Sequence, residues 1–178
     1  MLKRLTEAWK SASGLAAVEF GLIAPVLLVM LLGTIGICNA LVCHRKVINL
    51  ASNISGLIAM PTSVTSTDIS NAFNAGNAIL YPYSSTNTSI VISSITYSAA
   101  TNQDTVAWSR AQNGTALTQG SVVTPPAGVI STTDGAGAIL VSVTYSYTPA
   151  WGFFGTIPMS SSFYSRPRQS LSVACNGC

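Results

Sequence analysis

Hydrophobic residues fill a long stretch near the N-terminus and then become periodic. The 18 residues from Phe20 to Ile37 carry no charge, which meets the length of about 17–20 residues that a membrane-spanning helix needs. Apolar residues then recur at spacings of three and four between residues 47 and 58, as on one face of a helix. We therefore predict one helix from Leu15 to about Met60, about 69 Å long at 1.5 Å per residue. Its first half would span a membrane and its second half would pack against a domain.

A second, shorter helix is predicted to begin near residue 66. Ser66 or Thr67 can cap its N-terminus, and the Asp68 carboxylate favours the first turn. Apolar residues follow at helical spacing as far as residue 80. Tyr81 and Pro82 then close the pattern, because proline does not continue a helix.

Alternation of hydrophobic and polar residues predicts strands further along the chain. The clearest strand covers residues 138–147. Three others are predicted at residues 89–97, 105–110 and 169–175, the first with a bulge at Ser93 where its apolar phase slips. Together the elements predict an α+β fold, in which a long transmembrane and stem helix precedes a small domain with a short helix and an antiparallel sheet.

The composition favours a location of this small domain outside the cytoplasm. Only 7% of the 178 residues are charged, against roughly 25% in an ordinary soluble domain. Such a surface suits an extracytoplasmic or assembled protein. The basic residues cluster near the apolar helix without a basic stripe downstream, so nucleic acid is not predicted as a partner. We divide the chain into a basic leader at 1–14, the transmembrane and stem helix at 15–60, and an extracytoplasmic domain at 61–178.

The charges that flank the apolar stretch predict its orientation. Lys3, Arg4 and Lys10 precede it, whereas Arg45 and Lys46 follow it. The positive-inside rule therefore favours a cytoplasmic N-terminus. The basic residues 44–46 are also expected to mark the membrane surface, in contact with lipid headgroups.

One carboxylate, Glu19, lies in the first turns of the predicted helix, directly before the uncharged stretch. A charged group in a membrane segment is costly and usually marks a partner or a function. The order of basic leader, Gly14, Glu19-Phe20 and an apolar helix with Pro25 resembles the processing and assembly signal of type IV-like pilins. It is most similar to the TadE-like proteins of the tight-adherence (Flp) pilus system. A simple signal anchor with Glu19 at the headgroup level is the alternative.

The resemblance implies a role for each residue of this signal. A membrane prepilin peptidase would cut after Gly14, and Leu15 would become the new N-terminus. Glu19 would then be the fifth residue, one helical turn from the α-amine, and would be required for processing or assembly. It can compensate the charge of that amine, in its own subunit or in a neighbour. Phe20 stands where the major Flp pilins commonly carry Tyr.

The implied function is that of a minor pilin or pseudopilin with a pilin-like C-terminal domain. The protein would cross the bacterial inner membrane once, with this domain in the periplasm or incorporated into a surface pilus. Its partners would be the prepilin peptidase, other pilins and inner-membrane pilus assembly proteins. Two alternatives are an uncleaved, signal-anchored periplasmic assembly factor and a surface adhesin. In the adhesin, exposed aromatic residues would contact a ligand: Trp108, Tyr145, Trp151, Phe153 and Phe154.

The cysteines predict a disulfide. In Cys175-Asn176-Gly177-Cys178 the Asn-Gly pair favours a tight turn that brings the two cysteines close enough to bond, with free or intermolecular thiols as the alternative. Cys38 and Cys43 point about 140° apart on a helix and are expected to be small apolar fillers.

Catalytic chemistry is not predicted. The sequence has one histidine and lacks a nucleophile elbow, a P-loop, a dinucleotide fingerprint and a carboxylate pair. The C-x-x-C pair stands at the chain end and does not open a helix, so thiol–disulfide exchange is the weakest alternative. A zinc site would need two ligands beyond this pair, and only His44 is available. We expect no enzymatic activity, no cofactor and no metal.

Overall fold

The computed structural model describes residues 12–149 and 155–178. Within these residues, two α-helices and six strands follow one another in the order α1 (Ala12–Ile58), β1 (Ser63–Thr65), α2 (Ser66–Leu80), β2 (Thr88–Ser98), β3 (Gln103–Gln112), β4 (Gly137–Tyr147), β5 (Ile157–Ser165) and β6 (Ala174–Asn176). The predicted α+β fold, with a long helix before a small domain, is confirmed. The chain forms two compact units, Met1–Ala40 and Leu41–Cys178. The division into a leader, a transmembrane and stem helix and an extracytoplasmic domain stays a prediction.

Helix α1 confirms the long helix predicted from the apolar pattern. It runs without a break through Pro25, although proline removes one helical hydrogen bond. Membrane helices tolerate this loss where neighbouring groups satisfy the freed carbonyl. The helix ends at Ile58, and the amide of Ala59 still donates to the Ser55 carbonyl at 3.0 Å.

Helix α2 begins at Ser66, one or two residues before the start that the predicted caps imply. Its N-cap is Thr65, not Ser66 or Thr67. The Asp68 amide donates to the Thr65 hydroxyl at 3.2 Å, and the Thr65 amide donates to the Asp68 carboxylate at 2.9 Å. This reciprocal pair is a capping box, which satisfies two backbone donors at the start of the helix. The three-residue spacing from Thr65 to Asp68 is the signal that distinguishes the correct cap.

The four long strands form an antiparallel sheet in the order β3-β2-β4-β5. The predicted strands at residues 89–97, 105–110 and 138–147 correspond to β2, β3 and β4. The register between β2 and β3 shifts between Ser94 and Ile95, which confirms the predicted bulge. Strand β5 was not predicted, because Pro158 and three consecutive serines interrupt its hydrophobic alternation. Proline is compatible with a strand at the edge of a sheet.

The predicted strand at residues 169–175 is wrong. Only its last two residues join a strand, the three-residue β6, which pairs in parallel with β1. Side chains from the main sheet bind the backbone just before β6: the Trp108 indole donates to the Val173 carbonyl at 2.8 Å, and the Ser94 hydroxyl donates to it at 3.3 Å. The carbonyl of Val173 is therefore engaged by side chains and not by a sheet ladder.

The core of the second unit lies between α2, the sheet and the part of α1 from Leu41 onwards. Gly76 of α2 marks a close approach of α2 to its neighbours in this core. A Cβ atom there would lie 2.8 Å from Cδ1 of Ile54 in α1 and 3.2 Å from Cδ1 of Ile90 in β2. The absence of a side chain at residue 76 thus allows α2 to pack against both neighbours.

Candidate functional site in the N-terminal helix

The first part of α1 exposes apolar side chains around its whole circumference. Phe20 is 69% exposed and Leu22 73% exposed, and none of the most apolar 18-residue window of the helix is buried. In water an apolar surface of this extent would be unfavourable by roughly 25 cal/mol per Å². By length and composition, the helix Gly14–Ile58 suffices to cross a membrane. This segment therefore fits membrane anchoring.

Glu19 is the one charged residue between Gly14 and Cys43, and it is exposed on the surface of α1. It lies about 10 Å along the helix axis from Ala12, at 1.5 Å per residue. Stabilisation of an anion by the helix dipole fades beyond the first turn. The dipole of α1 as it stands therefore does little to compensate this carboxylate.

The Gly14–Leu15 peptide bond lies in the first turn of α1, which begins at Ala12. Glycine lowers the stability of a helix by about 1 kcal/mol relative to alanine, so Gly14 weakens the helix at the predicted processing bond.

The structure brings four predicted site residues together on one short stretch of helix. Gly14, Leu15, Glu19 and Phe20 all lie in the first turns of α1. Leu15 and Glu19 are four residues apart, which places them on one face. Leu15 is 65% exposed, so its side chain lies at the helix surface and not in a protein core. Their roles in processing and assembly stay predictions.

The predicted disulfide is present in the other unit. Cys175 and Cys178 are bonded, with their Cα atoms 5.6 Å apart. Gly177 adopts a φ of +76° in the turn between them, a conformation that glycine adopts without strain. Cys175 also pairs with Val64 across the parallel strands β6 and β1, so the bond closes a turn attached to the sheet pair. Of the free cysteines, Cys38 is exposed and Cys43 is buried.

Two aromatic residues predicted to be exposed are buried. Trp108 is 9% exposed and donates its indole hydrogen to the Val173 carbonyl. Tyr145 is 4% exposed and packs edge-on against Tyr83, with ring centroids 6.4 Å apart. Neither is available to a ligand, which removes the basis for an adhesin surface at these positions. The remaining three, Trp151, Phe153 and Phe154, lie outside the described residues.

Lys46 has a partner that the sequence did not indicate. Its ammonium group donates to the carbonyl oxygens of Tyr81 at 2.7 Å and Ile79 at 3.2 Å. These carbonyls lie at the C-terminal end of α2, where a cation is favourable. The lysine therefore holds α2 against α1 as well as adding charge near the membrane. A contact across more than thirty residues leaves no local sequence signal.

Residues 14–54 match the sequence model of the family described as TadE-like protein. The match includes the Glu19 segment and extends into the part of α1 that is buried in the second unit. No curated protein and no solved structure shows significant similarity to the chain. The family match confirms the resemblance predicted from residues 14–25, and this segment of the chain is similar to the TadE-like proteins of tight-adherence pilus systems.

Proposed function

We propose that the protein is a minor pilin or pseudopilin, which a prepilin peptidase cuts after Gly14 and which takes part in assembling a tight-adherence pilus. One observation carries the proposal. An exposed apolar helix bears a single carboxylate, Glu19, five residues after a glycine, in the segment that matches the TadE-like family. The proposal assigns no catalytic step, cofactor or metal to the chain.

Cleavage would change the electrostatics of this segment. Hydrolysis of the Gly14–Leu15 bond adds water, leaving a carboxylate on Gly14 and an amine on Leu15. An α-amino group titrates at about pH 8 and is mostly cationic at neutral pH. Its charge would lie about 6 Å along the axis from Glu19, at 1.5 Å per residue. Processing thus creates the cation that the isolated carboxylate lacks in this segment.

The new pair supports a role in assembly. Each charge left unpaired in an apolar environment costs several kcal/mol, so subunits are driven to positions where an amine meets a carboxylate. When the Glu19 carboxylate of one subunit accepts the Leu15 amine of the next, the contact sets the axial stagger between the two helices. A charge pair of this kind determines the axial register of neighbouring subunits more than it increases the stability of the filament.

Glu19→Gln tests this assignment in cells that carry the other pilus proteins. The variant keeps the size of the side chain and removes its charge. We expect at least a tenfold loss of the protein from sheared filaments, the equivalent of about 1.4 kcal/mol at each site of incorporation. Thr34→Val is the matched control, because the Thr34 hydroxyl already donates to the Met30 carbonyl at 2.8 Å within the same helix. Its incorporation should equal that of the unmodified chain.

Two results would overturn the proposal. Normal incorporation of Glu19→Gln would remove the assembly role of the carboxylate. If the unmodified chain stayed in the membrane and never entered filaments, the uncleaved periplasmic assembly factor would be the better account.

A further inference from the structure

Four tyrosines gather at one end of the unit Leu41–Cys178. Tyr81 lies beside α1, since its carbonyl accepts the Lys46 ammonium at 2.7 Å. The ring of Tyr83 packs edge-on against Tyr147 at 6.0 Å and against Tyr145 at 6.4 Å between centroids. This tyrosine end, residues 81, 83, 145 and 147, thus lies level with the turn of α1 that contains Lys46.

One tyrosine of this end is turned outwards. Tyr81 is 77% exposed, more than any other large hydrophobic residue among the described residues of this unit. Its neighbour Pro82 is also exposed. Tyr145 and Tyr147 are buried, at 4% and 6%. This end therefore combines one exposed aromatic ring with a packed aromatic cluster.

The adjacent turn of α1 changes from apolar to basic at the same level. Leu41 and Val42 are exposed hydrophobic residues, whereas Arg45 is exposed and His44 half-exposed. Such a change within one helical turn marks the boundary between hydrocarbon and headgroups in a membrane helix. Because residues 41–46 belong to the same unit as the tyrosine end, this boundary lies beside Tyr81.

We propose that the tyrosine end is a lipid-contacting surface, with the Tyr81 ring in the headgroup layer of the bilayer that α1 crosses. Tyrosine suits this layer because its ring is apolar and its hydroxyl remains hydrated. The positive charges of Arg45 and Lys46, in the adjacent turn of α1, favour anionic phospholipids. The inference rests on the membrane anchoring of α1. If α1 crosses a bilayer, the lipid headgroups lie next to Val42, and lipid is therefore what contacts this surface.

The packed aromatic cluster is suited to this position. Burial raises the pKa of Tyr83 and of Tyr145, so both phenols stay neutral at physiological pH. A neutral, packed cluster at this end adds no negative charge that would repel anionic headgroups. The positive charges of this end therefore act on the lipid without opposition from these two phenols.

Site-specific photocrosslinking in the full chain tests the proposal. The protein would be reconstituted in nanodiscs of phosphatidylethanolamine and phosphatidylglycerol, with p-benzoylphenylalanine in place of Tyr81, Leu27 or Leu171. Leu27 reports on the membrane segment. Leu171 is the matched control, because it is 60% exposed but lies at the other end of the sheet. Its carbonyl accepts a hydrogen bond from the Gly137 amide at 2.8 Å. Gly137 and Tyr147 are the two ends of β4, roughly 33 Å apart at 3.3 Å per residue.

We expect lipid adducts, identified by mass spectrometry, at positions 27 and 81 and none at 171. Adducts at position 27 alone would overturn the lipid contact while leaving the anchor intact. An adduct at 81 that contains protein and not lipid would also overturn it, in favour of a protein partner. If position 27 gave no lipid adduct, the membrane anchoring itself, and with it the inference, would fail.

Discussion

The two parts of α1 are both hydrophobic, but they occupy different environments. From Leu15 to Val42 large apolar side chains are exposed on all sides, whereas from Cys43 to Ile58 one face is buried at 2% exposure or less. The buried positions share a spacing of three or four: Cys43, Val47, Leu50, Ala51, Ile54 and Ile58. The exposed side of this part mixes polar residues such as Arg45 and Asn49 with the apolar residues Ile48 and Leu57. The period of the hydrophobic residues therefore distinguishes a helix that exposes apolar side chains on all sides from one that packs a single face on a protein.

The difference predicts unequal costs for the same truncation. Leu50→Ala removes a fully buried side chain, and such changes cost about 2–5 kcal/mol of unfolding free energy because a cavity remains. Leu28→Ala removes one that is 57% exposed and should change this free energy by less than about 0.5 kcal/mol. Urea unfolding in detergent micelles, followed through the buried Trp108, measures both. Equal costs would contradict the assignment of two environments.

A pair of glycines sharpens the comparison at closer range. Gly76→Ala should destabilise the domain by about 1–3 kcal/mol through overpacking, because its Cβ would meet Cδ1 of Ile54 at 2.8 Å. Gly56, on α1, has no atom within 4 Å of the corresponding position. Gly56→Ala should therefore stabilise the helix, by up to about 1 kcal/mol. The same unfolding assay distinguishes the two, and effects of the same sign would contradict the packing described.

The smallest effect is expected at the exposed start of α2. Hydrogen bonds from the Thr65 side chain and then its backbone lower the pKa of Asp68. The ionised carboxylate therefore stabilises the fold above its unfolded pKa of about 3.9, and this contribution is lost as the pH falls through the folded pKa. Asp68→Asn should reduce the loss of stability on acidification below about pH 4. Melting temperatures measured against pH would show this difference. An equal decrease of the melting temperature at acidic pH in the variant and the unmodified protein would contradict it.

The features predicted correctly from the sequence are those set by neighbours along the chain. The apolar pattern with helical spacing predicted α1, and the alternation of apolar and polar residues predicted β4. A break in that alternation predicted the bulge near Ser94, and the Asn-Gly turn predicted the disulfide. The Glu19 segment was also recognisable because its residues are adjacent. Each of these signals lies within one element and needs no knowledge of tertiary contacts.

The features missed depend on contacts between distant residues. The parallel pairing of β1 with β6 joins Val64 to Cys175, and the cap of α2 by Lys46 joins two helices. Strand β5 is stabilised by its pairing with β4, which compensates for its weak alternation. The burial of Trp108 follows from a hydrogen bond to Val173, at the far end of the sequence. None of these partners can be identified from local patterns.

The most direct test of the central claim is the intact mass of the protein extracted from membranes, with and without its prepilin peptidase. Processing after Gly14 predicts a peptidase-dependent species that begins at Leu15. The uncut chain should accumulate when the peptidase is absent. A protein that begins at Met1 in both cases would contradict the account and leave α1 as an unprocessed membrane anchor.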